Sequence, residues 1–330
     1  MKSYCTLFDK NYLSQALVLY RSLERHAQEF TLYALCMDRI AFDFLVKAAL
    51  PGLVPVAVDD LLTDDVAKVR ERTTHGQFCW VCQPLICLHV LDVFAADMVT
   101  YLEADSMFFH RPDPLFAELE GYSVSLVPHR YAPKYDQSAR SGNYCVQFNA
   151  FRNNDESREV LRYWRNCCFR YTREKPFVYP GQTTLDDWPT RFRCVREIGH
   201  RGAGVAPWNA MQYRIEATDG GVLVDGVPAI FFHYHQYARY EDGSHDLGDY
   251  PIAPVVVEQF YRPYVRSLRE VEEWVQAVDP TFIYRRERPL PKTLWQLITA
   301  AVPSDLHAYL LTVKRRLTGT YNVYREQSLT

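Results

Sequence analysis

The sequence predicts an α/β fold, a parallel sheet covered by helices on both faces. Strand-like and helix-like segments alternate through the first 60 residues in the order strand, helix, strand, helix, strand. The first two strand-like runs stop at aspartates, Asp9 and Asp38, and a later run, 98–102, leads into Glu103-Ala104-Asp105.

Taken in order, Tyr4 to Phe8 favours β structure. Leu13, Ala16, Leu17, Tyr20 and Leu23 then recur at helical spacing. Phe30 to Met37 is a second strand, Ala41 to Leu50 a helix halted by Pro51-Gly52, and Val54 to Val58 a third strand. A polar helix is expected near 64–72 and a long apolar one over 80–94, despite Pro84. Pro112 and Pro114 open a short helix, 122–128 and 144–152 read as strands, and 155–174 as a helix rich in arginine and aromatics. Gly181 to Trp188 reads as a loop or helix start. Asp219-Gly220-Gly221 and Asp225-Gly226 punctuate two or three antiparallel strands that end near 231–235. A proline-dotted, tyrosine-rich stretch near 250–264 marks a seam, so the expected division is a domain over 1–250 and a helical, basic extension over 251–330.

Composition limits the function classes. With 48% hydrophobic residues the chain has ample material for a core and is not disordered. A formal net charge of −3 argues against general nucleic-acid binding. That charge is uneven: residues 281–330 carry eight basic and three acidic side chains, net +5, leaving −8 on the first 280. No secretory signal is expected at the start, and no apolar stretch is expected to reach the roughly 18–20 residues of a membrane span. Nine cysteines without such a signal point to reduced thiols in a cytoplasmic protein. Cys79-Trp80-Val81-Cys82 lacks a second pair at zinc spacing, the vicinal Cys167-Cys168 being no match, so these cysteines are expected to be structural.

The chemistry concentrates at strand ends. In an open parallel sheet, ligands bind outside the carboxyl ends of the strands. Glu103 and Asp105 there offer hard oxygen donors suited to Mg²⁺ or Mn²⁺ bridging phosphate oxygens. Taken alone, the tripeptide is more readily an exposed acidic turn, common in any protein.

Beyond the tripeptide, several segments resemble the GT-A fold glycosyltransferases, most closely the retaining family 8 group that includes glycogenin and bacterial galactosyltransferases. Thr6-Leu7-Phe8-Asp9 with Tyr12 resembles the opening of that fold, which implies that Asp9 and Tyr12 hold and stack the nucleobase, with Thr6 a further donor-binding candidate. Tyr101-Leu102-Glu103-Ala104-Asp105 is similar to its acidic metal-binding strand, with Glu103 where aspartate is usual. Gly181-Gln182-Thr183-Thr184-Leu185-Asp186-Asp187 is similar to the segment that places a glutamine by the transferring sugar carbon. Gly181 stands there for an aspartate, and Asp186 or Asp187 could supply the missing carboxylate. His233-Tyr234-His235-Gln236 resembles the closing segment whose histidine completes the metal shell, so the resemblance implies His233, with His235 close behind, beside Asp105. Gln147-Phe148-Asn149-Ala150 is similar to a donor-sugar segment, which makes Asn149 a candidate contact. Gly202-Ala203-Gly204 resembles a small-residue turn at which Gly202 lets amides approach a phosphate. These short motifs are scattered over about residues 4–238.

The resemblance implies a GT-A, Rossmann-like mixed sheet and a Mn²⁺- or Mg²⁺-dependent transferase. Its expected donor is a nucleotide-diphosphate sugar, UDP-sugar favoured, and its acceptor a glycan or lipid-linked molecule of bacterial surface polysaccharide synthesis. A retaining reaction would use Gln182, whereas an inverting one would draft Asp186 or Asp187 as base. Two alternatives stand beside it: a GT-A-like nucleotide-binding scaffold without turnover, and a sugar-1-phosphate nucleotidyltransferase. The latter would want a glycine-rich, arginine-bearing loop where this chain has Asp9-Lys10-Asn11-Tyr12. In the tail, Ser304 caps an expected helix with Leu306, Leu310, Val313 and Leu317 on one face, Lys314, Arg315 and Arg316 in its last turn, and Gly319 after it. With the apolar patch of Leu294, Trp295, Leu297 and Ile298, this suggests a peripheral contact of 290–330 with the inner face of a membrane, or a helical flap or oligomer contact.

Overall fold

The computed structural model describes residues 1–174, 182–282 and 322–329. Gly181, the patch at 294–298 and the helix expected over 304–319 lie outside the described residues.

The chain begins with the expected alternation: β1 (Lys2–Phe8), α1 (Leu13–His26), β2 (Phe30–Cys36), α2 (Arg39–Ala48) and β3 (Leu53–Ala57). These three strands pair in parallel in the order β3-β2-β1. The aspartates after β1 and β2 close the strands by capping the next helical turn. Asp9 accepts from the Asn11 amide, and Asp38 accepts from the Ala41 amide at the start of α2. Next come α3 (Asp64–Glu71) and α4 (His75–Val93). Helix α4 starts five residues before the expected 80, because Thr74 and Gln77 form a capping box. It is long and apolar enough to cross a membrane by length and composition, contrary to the expectation for this chain. More than half of it is buried, against β1, β4 (Met98–Leu102) and α7 (Asp155–Glu174).

Strand β4 pairs in parallel with β1. Beyond it the sheet turns antiparallel. After β5 (Ser106–Phe108) and α5 (Asp113–Glu118), β6 (Val124–Pro128) and β8 (Phe148–Arg152) extend it in the order β4-β8-β6. The single strand expected over 144–152 is interrupted. After α6 (Ser138–Ser141), β7 (Tyr144–Cys145) and β8 both pair with β6 but are separated by a turn at Val146-Gln147. After α7 and α8 (Trp188–Arg191), β9 (Val195–Glu197) joins β6 in parallel. The sheet is therefore mixed, with apolar layers on both faces. One holds α1, α2 and α10 (Arg262–Val278); the other holds α4 and α7, anchored by the buried rings of Trp164 and Trp188.

The later segments form small sheets around this core. A meander of β10 (Ile215–Thr218), β11 (Gly221–Val224) and β12 (Val227–Pro228) uses the expected glycine turns. Strand β13 (Phe231–His233) then pairs antiparallel with β5 and brings His233 opposite Ser106. β14 (Ala238–Arg239) and β15 (Ser244–Asp246) come next, then α9 (Pro254–Val256) and α10 (Arg262–Val278). Tyr264 of α10 stacks on Tyr234 at 3.6 Å between ring centroids, and Phe260, Tyr261 and Tyr264 are fully buried in the same core as α1. β16 (Val323–Arg325) closes the described chain on β15.

Candidate active site

A cavity of about 350 Å³ opens at the carboxyl ends of β1 and β4. Asp9 and Tyr12 line one side, after β1. Glu103, Ala104 and Asp105 line the floor, after β4, and Gln182, His233 and His235 close the far side. The sequence-derived candidates Asp9, Tyr12, Glu103, Asp105, Gln182, His233 and His235 thus converge. They come from segments far apart in sequence because β1 neighbours β4 and β13 neighbours β5. The remaining wall is one face of α4: His75, Gly76, Cys79, Trp80 and Gln83. Sequence reasoning missed this face. Its signal was the run of polar or small residues, His75, Gly76 and Gln83, at helical spacing in an otherwise apolar helix.

Two carboxyl groups of different character line the floor. Burial, then the neighbouring Asp105 charge, push the Glu103 carboxyl well above the usual glutamate range, against a 3.1 Å hydrogen bond from Gln83 Nε2. Burial also pushes Asp105 up, but the charge and hydrogen bond of His233, with a contribution from His235, outweigh it and hold it below the usual range. His233 Nε2 stands 3.2 Å from Asp105 Oδ1, with side-chain exposures of 6% and 19%. His235 is lowered to about 4 by burial and by His233. Its ring lies 5.9 Å from that of His233.

Among the described residues no three His, Cys, Asp or Glu side chains converge as a ready-made metal cage. Asp105 and His233 nonetheless fit a divalent cation that draws further ligands from substrate and water. With bonds of roughly 2.1 Å, adjacent ligands of an octahedral ion stand about 3 Å apart, close to the 3.2 Å seen. Two partly buried carboxylates, Glu103 and Asp105, share a cavity whose described lining holds no lysine or arginine. Glu103 and His235 line the same space without joining that pair.

Asp9 holds its neighbours together. Its carboxylate accepts from the Asn11 amide at 2.9 Å and the Asn11 side chain at 3.1 Å, and lies 3.2 Å from His75 Nε2. Gln182 Nε2 donates to the Cys145 thiol at 3.8 Å.

No family model matches the chain. Two proteins of Bacillus subtilis (strain 168) do. YfnF is 30% identical over 291 residues, covering 85% of this chain and 96% of its own length. The chain belongs to the YfnF family. YfnD is 25% identical over 289 residues, covering 84% of this chain and 92% of itself; both relatives are described as uncharacterized. Among solved structures, the galactosyltransferase LgtC in complex with donor and acceptor sugar analogs superposes with a TM-score of 0.53 at 14% identity. That match covers 82% of this chain and 98% of LgtC. This YfnF-family chain therefore has the GT-A glycosyltransferase fold.

Other candidates sit elsewhere in this YfnF-family protein. Asp186 accepts from the Asn143 amide at 2.7 Å and its side chain at 3.1 Å. Asp187 accepts from Tyr163 at 2.7 Å and pairs with Arg191 at 2.8 Å. Neither lines the cavity. Thr6 is fully buried in β1, and Asn149, fully buried in β8, donates to the Ser125 carbonyl at 3.3 Å. Gly202 is explained by packing: a Cβ there would stand 1.9 Å from the Pro228 carbonyl oxygen. Of the cysteines, Cys82, Cys167 and Cys168 are buried and Cys79 half-buried, and all nine in the chain are free thiols.

Proposed function

We propose that the protein is a glycosyltransferase that moves a sugar from a nucleoside-diphosphate donor, UDP-sugar favoured, to a glycan or lipid-linked acceptor, with retention of anomeric configuration. The observation that carries this reading is the cavity itself. Asp9 and Tyr12, read as the base-binding pair, lie at the end of β1, and an acidic floor with His233 lies at the end of β4.

A diphosphate entering beside the Asp105 carboxylate calls for a compensating cation, since no lysine or arginine lines the described walls. Asp105 and His233 would hold that cation, Mn²⁺ favoured over Mg²⁺ by the imidazole donor. Bound there, it would stabilise the negative charge that develops on the departing diphosphate. Asp9 accepts from a base N–H, Tyr12 and Trp80 bound the base pocket, and Gln182 lies where the sugar would meet the floor. Asp186 and Asp187 are occupied by structural partners outside the cavity, which favours a reaction without a carboxylate base on the opposite face. Nine free thiols support a reducing, cytoplasmic setting for synthesis of surface polysaccharide.

The test is a thermal-shift panel of UDP, GDP, CDP and CMP, each with Mn²⁺ or EDTA. A ligand at about 100 times its dissociation constant adds roughly 2.7 kcal/mol of apparent stability. The expected result is a Mn²⁺-dependent shift with UDP that Asp105→Ala removes, followed by release of UDP from UDP-sugar. No shift with any nucleotide would overturn the reading, and binding without turnover would leave a nucleotide-binding scaffold.

A further inference from the structure

We infer that Gln147 is a positioning residue: it keeps a proton on His233 Nδ1, so that Nε2, which donates to Asp105 in the metal-free protein, is the nitrogen left to ligate when a cation takes that proton's place. This rests on the reading of Asp105 and His233 as the cation-holding pair.

Gln147 is fully buried and lies in the turn that breaks the strand between β7 and β8. Such interruptions re-aim a side chain out of the regular alternation. Its Oε1 stands 3.1 Å from His233 Nδ1. The other polar atom near that nitrogen, the Cys145 thiol, is at 3.9 Å and is a much weaker acceptor. An amide oxygen only accepts, so Nδ1 must carry the hydrogen, and the other ring nitrogen is then free to ligate. A ligating histidine generally has its remote nitrogen fixed in this way, and loss of the fixing partner weakens metal affinity by about 10–100-fold.

The surroundings are shaped for this amide. Gly204 has φ +71°, and a Cβ on it would stand 2.4 Å from Gln147 Nε2 and 2.8 Å from Val127 Cγ1. The glycine leaves just the space the amide fills. Gln147 Nε2 has no hydrogen-bond partner among the described residues, so hydrogen bonding of the donor end does not account for burying a glutamine here. Its hydrogen bond to His233 does. The ring is further held by its backbone amide on the Val205 carbonyl at 2.9 Å and by the edge of Trp208, 5.3 Å away between centroids.

The test compares Gln147→Met, which keeps length but removes the acceptor, with Gln147→Glu, which keeps it. Mn²⁺ affinity of the full chain is read from free Mn²⁺ by electron paramagnetic resonance, and folding from melting in EDTA. The expected result is a loss of about 10–100-fold for Gln147→Met, with Gln147→Glu close to wild type. Equal losses in both variants, or none in Gln147→Met, would overturn the inference while leaving the site's reading intact. A wild type that melts cooperatively yet holds no Mn²⁺ would sink both. Should neither variant fold, ¹⁵N-histidine NMR of the Mg²⁺-loaded wild type decides: a proton on His233 Nδ1 supports the inference, and a bare Nδ1 overturns it.

Discussion

His233 and Asp105 meet at 3.2 Å because β13 and β5 pair with His233 opposite Ser106, the neighbour of Asp105. The backbone adds a second tie, since the Tyr234 amide donates to the Asp105 carbonyl at 2.8 Å. The pair is therefore set by strand register, and side-chain substitutions on the acidic floor should alter its chemistry without dismantling it.

The first consequence is a pH dependence in metal-free protein. Glu103 has its folded pKa raised, by burial and then by Asp105. The folded state thus binds more protons than the unfolded state once pH passes the ordinary value of 4.5, and stability falls with rising pH across that window. Asp105 is lowered, so its contribution is present above the ordinary 3.8 and is lost only as pH falls through its folded value. His233, His235 and Gln83 face these groups and remain in place in the comparison. Urea melts in EDTA between pH 5 and 8 should show a declining slope in wild type that Glu103→Gln flattens. In thermal melts at pH 8 the variant should have a higher midpoint than wild type. Parallel slopes would show that Glu103 is ionised as in water.

Asp187 separates structural from catalytic carboxylates. Its bonds to Tyr163 and Arg191 tie α7 to α8. Asp187→Asn should cost about 1 kcal/mol of stability and leave turnover within a few-fold of wild type. Loss of turnover by about a hundredfold or more, with a normal melting temperature, would instead make it the base of an inverting reaction.

Much of this arrangement was legible in the sequence, for identifiable reasons. The β1-α1-β2-α2-β3 run carries strong local periodicity, and the strand-end residues Asp9, Glu103 and Asp105 lie where parallel sheets bind ligands. The β13–β5 pairing was not legible, because three-residue strands have almost no pattern of their own and their register depends on tertiary packing. The start of α4 was missed because His75 and Gly76 are poor helix formers that only the Thr74–Gln77 capping box brings into the helix. The break at Val146-Gln147 lies in a run that reads as one continuous strand.

Gly202 tests whether its loop is shaped by packing or by a phosphate. Its Cα faces the Pro228 carbonyl too closely for any side chain, and its own carbonyl accepts the Ile230 amide at 2.8 Å. Gly202→Ala should therefore cost about 1–3 kcal/mol or more through overpacking, with a lower melting temperature in the absence of any ligand. An unchanged apo melting temperature with weakened nucleotide binding would return the glycine to a phosphate-binding role.

Asp9 has a structural duty and, in the proposed reading, a second one in binding the base, and conservative substitution divides them. As the cap of the turn after β1 it accepts from the Asn11 amide. Asparagine caps as well as aspartate, whereas alanine loses about 1 kcal/mol. Asp9→Asn should thus melt like wild type in EDTA, and Asp9→Ala a few degrees lower. If it also accepts from a base N–H, as proposed, the charged oxygen matters, and losing a charge-assisted bond costs roughly 1.4 kcal/mol or more, about tenfold in affinity. Both variants should therefore weaken UDP binding at least tenfold by calorimetry in saturating Mn²⁺. His75, 3.2 Å from the same carboxylate with a side chain 59% exposed, provides the control. His75→Ala removes a neighbour of Asp9 at the surface and should leave stability unchanged. If Asp9→Asn binds UDP as wild type does, the carboxylate serves the turn alone and the base is read elsewhere on the cavity wall.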